Sequence, residues 1–145
     1  MVEDASLCRL NKYLETLHFA FRGLVAEPDS ILKSQGLSRI HHRLLFFIGR
    51  NPGLSVNELV ESMRLTKQAI HKPLKSLVEK DMVAVTRDAS DKRVKRLALT
   101  SQGVALESRL TGIQRELLTH AFDEVGEEAL LGELVVTRAD DEKIR

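Results

Sequence analysis

The sequence has a single cysteine, Cys8, in 145 residues. That excludes an intramolecular disulfide framework and a cysteine-rich zinc site. No apolar run approaches the roughly 18 residues of a membrane-spanning helix, and no charged-then-apolar start marks a signal peptide. We therefore expect no membrane association and a cytoplasmic location. Internal repeats, low-complexity tracts and Gly- or Pro-rich linkers are also missing. With 43% hydrophobic residues, one domain over residues 1–145 is expected. There is no Gly-rich phosphate loop, no Gly-x-Ser-x-Gly and no His-x-x-x-His, so the chain does not read as an enzyme. His41 and His42 are adjacent, and helical neighbours project about 100° apart, so they cannot chelate one ion from one face. No metal and no cofactor is expected.

What is present centres on residues 55–100. Ser55-Val56-Asn57-Glu58 has the spacing of a capping box, with Val56, Leu59, Val60 and Met63 as the buried side of a short helix. Arg64-Leu65 gives a turn of helix-turn-helix length, and Thr66 is the N-cap of the next helix. There Ile70, Leu74, Leu77 and Val78 share one face, while Lys67, Gln68, His71, Lys72 and Lys75 project elsewhere. An apolar back with long donors at the N-terminal front suits a DNA major groove. Then Val83 and Val85 alternate with Ala84 and Thr86, and Leu97 and Leu99 with Arg96, Ala98 and Thr100, as in two half-buried strands. Between them runs the polar segment Arg87–Lys95. Helix, turn, helix and basic hairpin is the order of a winged helix.

Charge follows the same division. Residues 64–96 carry ten Lys or Arg against four Asp or Glu, whereas residues 116–145 carry three against nine. The net charge of +1 hides a molecule that is basic where DNA-reading elements would lie. Outside that block, Leu7, Leu10, Leu14, Leu17, Phe21 and Leu24 recur every three or four residues, a heptad-like stripe. Leu106, Leu110, Ile113 and Leu117 repeat the pattern after Thr100, the expected N-cap of a long fifth helix. Ala129, Leu130, Leu131, Leu134 and Val135 offer a short last one.

Leu37-Ser38 ahead of a helix, Asn51-Pro52-Gly53-Leu54-Ser55-Val56-x-Glu58-Leu59, the Thr66–Leu77 helix, Asp91-Lys92-Arg93 and Leu99-Thr100-Ser101-Gln102-Gly103 together resemble the MarR family of winged helix-turn-helix regulators. The likeness is close over residues 38–103. It implies a mainly α fold with a small β-hairpin wing, a winged helix-turn-helix lobe at about 38–100, and dimerisation helices at about 5–25 and 101–137. By this resemblance the first and last helices interlock as a homodimer, which would use Leu7, Leu10, Leu14, Leu17, Phe21, Leu106, Leu110, Ile113, Leu117, Leu130 and Leu134. Two recognition helices related by a two-fold axis would read a pseudo-palindrome in double-stranded DNA.

In each half, Thr66 opens the recognition helix and Gln68 is suited to adenine. Lys67 or His71 is suited to a guanine acceptor, and Lys72 and Lys75 to phosphates. In the wing, between Lys92 and Lys95, the resemblance implies that Arg93 enters the minor groove, oriented by Asp91. Pro73 removes an N–H that would bond the Ala69 carbonyl, so the helix is expected to kink or loosen there.

The resemblance also implies a small effector, often aromatic or anionic, bound between the dimer helices and the lobe. His18, Arg22, His41 and His42 are the candidates to line its pocket, although a satisfied histidine near a helix junction is an equal reading of the pair. Some relatives sense oxidants through a first-helix cysteine, which makes Cys8 a second regulatory candidate. The expected function is an effector-responsive repressor. The alternatives are a winged-helix adaptor that binds protein, and a redox-sensing regulator using Cys8.

Overall fold

Local hydrogen bonds fix where each helix starts. In the computed structural model, which describes residues 4–126 apart from the Val125 side chain, the first helix α1 spans Ala5–Ser34, and Asp4 caps it by accepting from the Ser6 N–H. Helix α2 spans Arg39–Arg50, with the Ser38 N–H donating to His41 Nδ1 at 3.0 Å. Helix α3 spans Val56–Met63. The expected capping box is present there, with Glu58 N–H to Ser55 Oγ at 3.1 Å and Ser55 N–H to Glu58 Oε2 at 2.6 Å. After a turn in which Arg64 takes a left-handed φ of 51°, α4 spans Lys67–Glu79, and Thr66 Oγ1 accepts from the Ala69 N–H. Strands β1 (Val83–Arg87) and β2 (Lys95–Leu99) pair antiparallel, with Val83 opposite Leu99 and Val85 opposite Leu97. Helix α5 spans Ser101–Val125, and Thr100 Oγ1 accepts from the Gly103 N–H as its cap. The architecture is mainly helical with a two-stranded wing.

Leu44, Leu45 and Ile48 of α2, Leu59 of α3, Ile70 and Leu77 of α4, Leu97 of β2 and Leu110 of α5 are almost wholly buried in one core. Apolar side chains from every element of the lobe thus leave water together, which is the dominant stabilising term. Among the described residues, no helix is long and apolar enough to cross a membrane.

Three expectations are corrected. Helix α1 does not stop near residue 25 but runs to Ser34, carrying Pro28 inside it. The proline leaves the Leu24 carbonyl without its helical N–H partner, and Gln114 Nε2 of α5 donates to that carbonyl at 3.3 Å. Second, Leu106 and Leu110 do not lie on a free stripe. They are 6% and 0% exposed within the single chain, because the first turns of α5 pack on α2 and β2. Ile113 is half-buried and Leu117 is exposed. Third, Val78 and Val85, expected on buried faces, are 37% and 40% exposed. Leu130 and Leu134 lie outside the described residues.

The stripe on α1 divides in two. Its C-terminal part buries Val25, Pro28 and Leu32 in the chain's own structure. Leu7, Leu10, Leu14, Leu17 and Phe21 continue the same face toward the N-terminus but are 45% to 65% exposed. An apolar face of that length in water is a surface for association.

Where the wing meets α5, the backbone comes very close. A Cβ on Gly103 would lie 2.0 Å from the Met82 carbonyl oxygen, whereas one on Gly23 would meet nothing within 4 Å. Gly103→Ala should therefore destabilise the fold by about 3 kcal/mol through forced backbone movement. Gly23→Ala, in mid-helix, should stabilise it by about 0.5 kcal/mol or more. Chemical denaturation of both variants against the parent checks the pair, and equal midpoints would contradict it.

Candidate nucleic-acid interface

Helix α4 buries Ile70, Leu74 and Leu77 and leaves Lys67, Gln68, His71, Lys72 and Lys75 exposed on the opposite side. The Thr66 cap satisfies one of the free N–H groups of the first turn, where Lys67 and Gln68 begin. Pro73 sits inside the helix, which continues through it to Glu79. The Ala69 carbonyl that Pro73 leaves without a helical donor belongs to an exposed residue, so water can serve it.

The wing lies across a groove of about 570 Å³ from this helix. Lys67, His71 and Lys75 line one wall, Arg93 and Lys95 the other, and Val56, Val78, Val85 and Val94 contribute apolar surface. This is why Val78 and Val85 stay exposed: each strand or helix turned one apolar side chain toward the groove instead of the core.

Two aspartates organise the tip of the wing. Asp88 accepts from the Ser90 hydroxyl at 2.7 Å, the Asp91 N–H at 3.0 Å, the Ser90 N–H at 3.1 Å and Arg96 Nε at 3.2 Å. These donors, the Ser90 hydroxyl foremost, lower its pKa to about 2. Asp91 accepts from the Arg93 N–H at 3.0 Å and from Arg93 Nε at 3.2 Å. The Arg93 side chain is nonetheless 92% exposed, so it is held in direction while its outer face stays open. Lys92 is held in the same loop through its carbonyl, which accepts from Arg87 Nη1 at 2.7 Å.

The four residues considered for an effector pocket separate. His18 and Arg22 line a cavity of about 460 Å³ with Phe21, Val25, Ala26, Asp29 and Arg39. His41 is instead turned back on Ser38, and His42 packs inward against α5. Asp29 and Arg39 were not foreseen. Arg39 donates to Asp29 from Nη2 at 2.5 Å and from Nε at 3.3 Å, and its guanidinium stands 5.2 Å from the Phe21 ring centre. The hydrogen bond to Asp29 raises the arginine pKa further. Contacts between residues ten apart, across a helix end, leave no periodic signal in sequence. Among the described residues, no group of three or more His, Cys, Asp or Glu is placed to hold a metal ion.

A MarR family model matches residues 35–94. The HTH-type transcriptional regulator PetP of Rhodobacter capsulatus is 37% identical over 124 residues, which cover 86% of this chain and 75% of that protein. The chain belongs to the MarR family. The HTH-type transcriptional regulator SarZ of Staphylococcus aureus is 31% identical over 71% of this MarR-family chain and 73% of its own length. Among solved structures, Streptococcus pneumoniae FabT in complex with DNA aligns with a TM-score of 0.76 at 20% identity, over 90% of this chain and 93% of that one. The S. aureus MepR–DNA complex aligns with a TM-score of 0.64 at 21% identity, over 91% and 95%. Identities this low establish the common MarR-family fold.

In this family member a partly buried hydrogen-bond chain joins the lobe to α5. Thr111 Oγ1 gives its one proton to Glu107 Oε1 at 2.6 Å, so at 3.1 Å it accepts from His42 Nε2. His42 is therefore protonated on Nε2, and burial lowers its pKa despite the opposing pull of Glu107 and Asp29; nearby Arg43 also lowers it. A histidine kept neutral by folding contributes stability fully above its ordinary pKa of 6.5, and loses it as pH falls below that value. Wild type should lose more thermal stability than His42→Gln between roughly pH 7.5 and pH 5.5. Equal losses in the two proteins would show that His42 does not carry this dependence.

Proposed function

We propose that the chain is a sequence-specific DNA-binding transcriptional regulator that acts as a homodimer on a pseudo-palindromic site. The observation that carries this reading is the pairing, on either side of one groove, of the donor-rich face of α4 with the aspartate-directed Arg93 of the wing. Gln68 reads adenine through its N6 and N7 positions, Lys67 or His71 meets a guanine acceptor, and Lys72 and Lys75 hold phosphates. Thr66 sets the start of the helix. Asp91 orients Arg93 for the minor groove, and Lys92 and Lys95 add to the positive field around it. Membership of the MarR family and the DNA held by FabT and MepR support the reading.

The exposed part of α1, with Leu7, Leu10, Leu14, Leu17 and Phe21, pairs with a second copy, joined by Ile113 and Leu117 of α5. The regulator is a cytoplasmic repressor, released when a small ligand favours a dimer conformation that no longer fits the operator. His18 and Arg22, with Arg39 and Phe21, offer that ligand a cationic and aromatic cavity. Cys8 is exposed on α1, and that exposure is all that supports the redox-sensing alternative.

Selection from a random duplex pool at two salt concentrations should recover a pseudo-palindrome. Salt-sensitive retention without a motif would reduce the basic face to generic attraction, and no retention would favour the protein adaptor. On the recovered site, Gln68→Ala should relax base choice, and Arg93→Ala should weaken binding about tenfold. Sedimentation at micromolar concentration should give a dimer. A monomer there would refute the α1 interface.

A further inference from the structure

Arg96 lies in β2 opposite Thr86, and its guanidinium reaches three separate segments. Nε donates to Asp88 Oδ1 at 3.2 Å, and Nη1 donates to the Gly53 carbonyl and to Glu58 Oε2, both at 3.4 Å. Two of these acceptors hold other structure in place. Glu58 Oε2 also accepts from the Ser55 N–H that closes the α3 capping box. The other oxygen of Asp88 accepts from Ser90 and from the Asp91 N–H. A continuous path of hydrogen bonds thus runs from the first turn of α3, through Arg96 and Asp88, to the residue that directs Arg93.

We infer that Arg96 is a positioning residue for DNA reading, one that fixes the bearing of the wing on the helix-turn-helix so that Arg93 and α4 meet one half-site in register. The inference rests on the DNA-binding function proposed above. A two-stranded hairpin is a weak lever by itself. The backbone anchors its base, where the Gly53 N–H donates to the Leu97 carbonyl at 2.8 Å and the Leu97 N–H to the Leu54 carbonyl at 2.9 Å. Arg96 extends that anchorage outward to the loop, which the main chain does not reach from the lobe by those two bonds.

Its side chain is 37% exposed, and the partner carboxylates are 22% exposed for Asp88 and 58% for Glu58. Ion pairs with that much solvent contribute little to stability. Their consequence is geometric: a planar guanidinium with fixed donor directions sets the angle between three segments at once, which a lysine ammonium cannot do. Arg93 can enter a minor groove only where the wing presents it, so a wing free to swing spreads that side chain over many directions.

A double-mutant cycle tests this on the operator recovered by selection, with either A/T-rich or G/C-rich sequence under the wing. In the parent, Arg93→Ala should weaken binding about tenfold on the A/T-rich duplex. In an Arg96→Ala background the same change should cost about twofold or less, and the preference for A/T-rich flanks should already be lost. Base discrimination through Gln68 and the dimer state should persist. A merely structural role would weaken both duplexes alike and leave the cost of Arg93→Ala unchanged, and that result would overturn the inference. If Arg93→Ala costs nothing in the parent, the wing does not read DNA and the underlying function fails instead, taking this role with it. Asp88→Asn, which breaks the path one link further on, repeats the cycle should Arg96→Ala fold poorly.

Discussion

One close approach of two backbone segments ties α4 and the wing to the long helix α5. The Met82 carbonyl, in the turn between α4 and β1, accepts from the Thr100 N–H at 3.1 Å and leaves no room for a side chain at Gly103. Thr100 also donates its hydroxyl to the Asp81 carbonyl at 2.6 Å. The end of α4, both ends of the hairpin and the start of α5 therefore meet within a few residues. A shift of any one of them would strain these bonds or press Gly103 against the Met82 carbonyl.

From that junction the two halves are built differently. The lobe is held by a core to which α2 contributes Leu44, Leu45 and Ile48, all 0% exposed. Helix α5 also meets the lobe through a polar contact, His42 with Thr111, whose hydroxyl donates in turn to Glu107, and it meets α1 through the bond from Gln114 to the Leu24 carbonyl. The buried His42–Thr111 bond is directional, and it favours one angle between α5 and the lobe where apolar packing alone would tolerate several. A ligand that altered this angle would alter the spacing of two recognition helices in a dimer.

The parts of this design that are legible in sequence are those decided locally. Ser55 with Glu58, Thr66 with Ala69 and Thr100 with Gly103 are caps between residues three apart, and their chemistry alone announces them. Asp91 with Arg93 is equally local. Periodicity also located the apolar faces but could not say what covers each: Leu106 and Leu110 turned to their own core, Leu14 and Leu17 to solvent, and Val78 and Val85 to the groove. Pro28 was invisible as a helix residue because the donor to the Leu24 carbonyl it leaves free comes from Gln114, far along the chain. Arg96 and Arg39 gave no signal for the same reason, since their acceptors are assembled only by tertiary structure.

The bond from Gln114 to the Leu24 carbonyl also bears on how two chains would come together. A proline at position 28 would ordinarily leave a weak joint in α1, just beyond the exposed stretch that ends at Phe21. The bond from α5 braces that joint within the single chain. Less conformational freedom then remains to be surrendered on contact, so more of the apolar burial at Leu7, Leu10 and Leu14 is available as affinity.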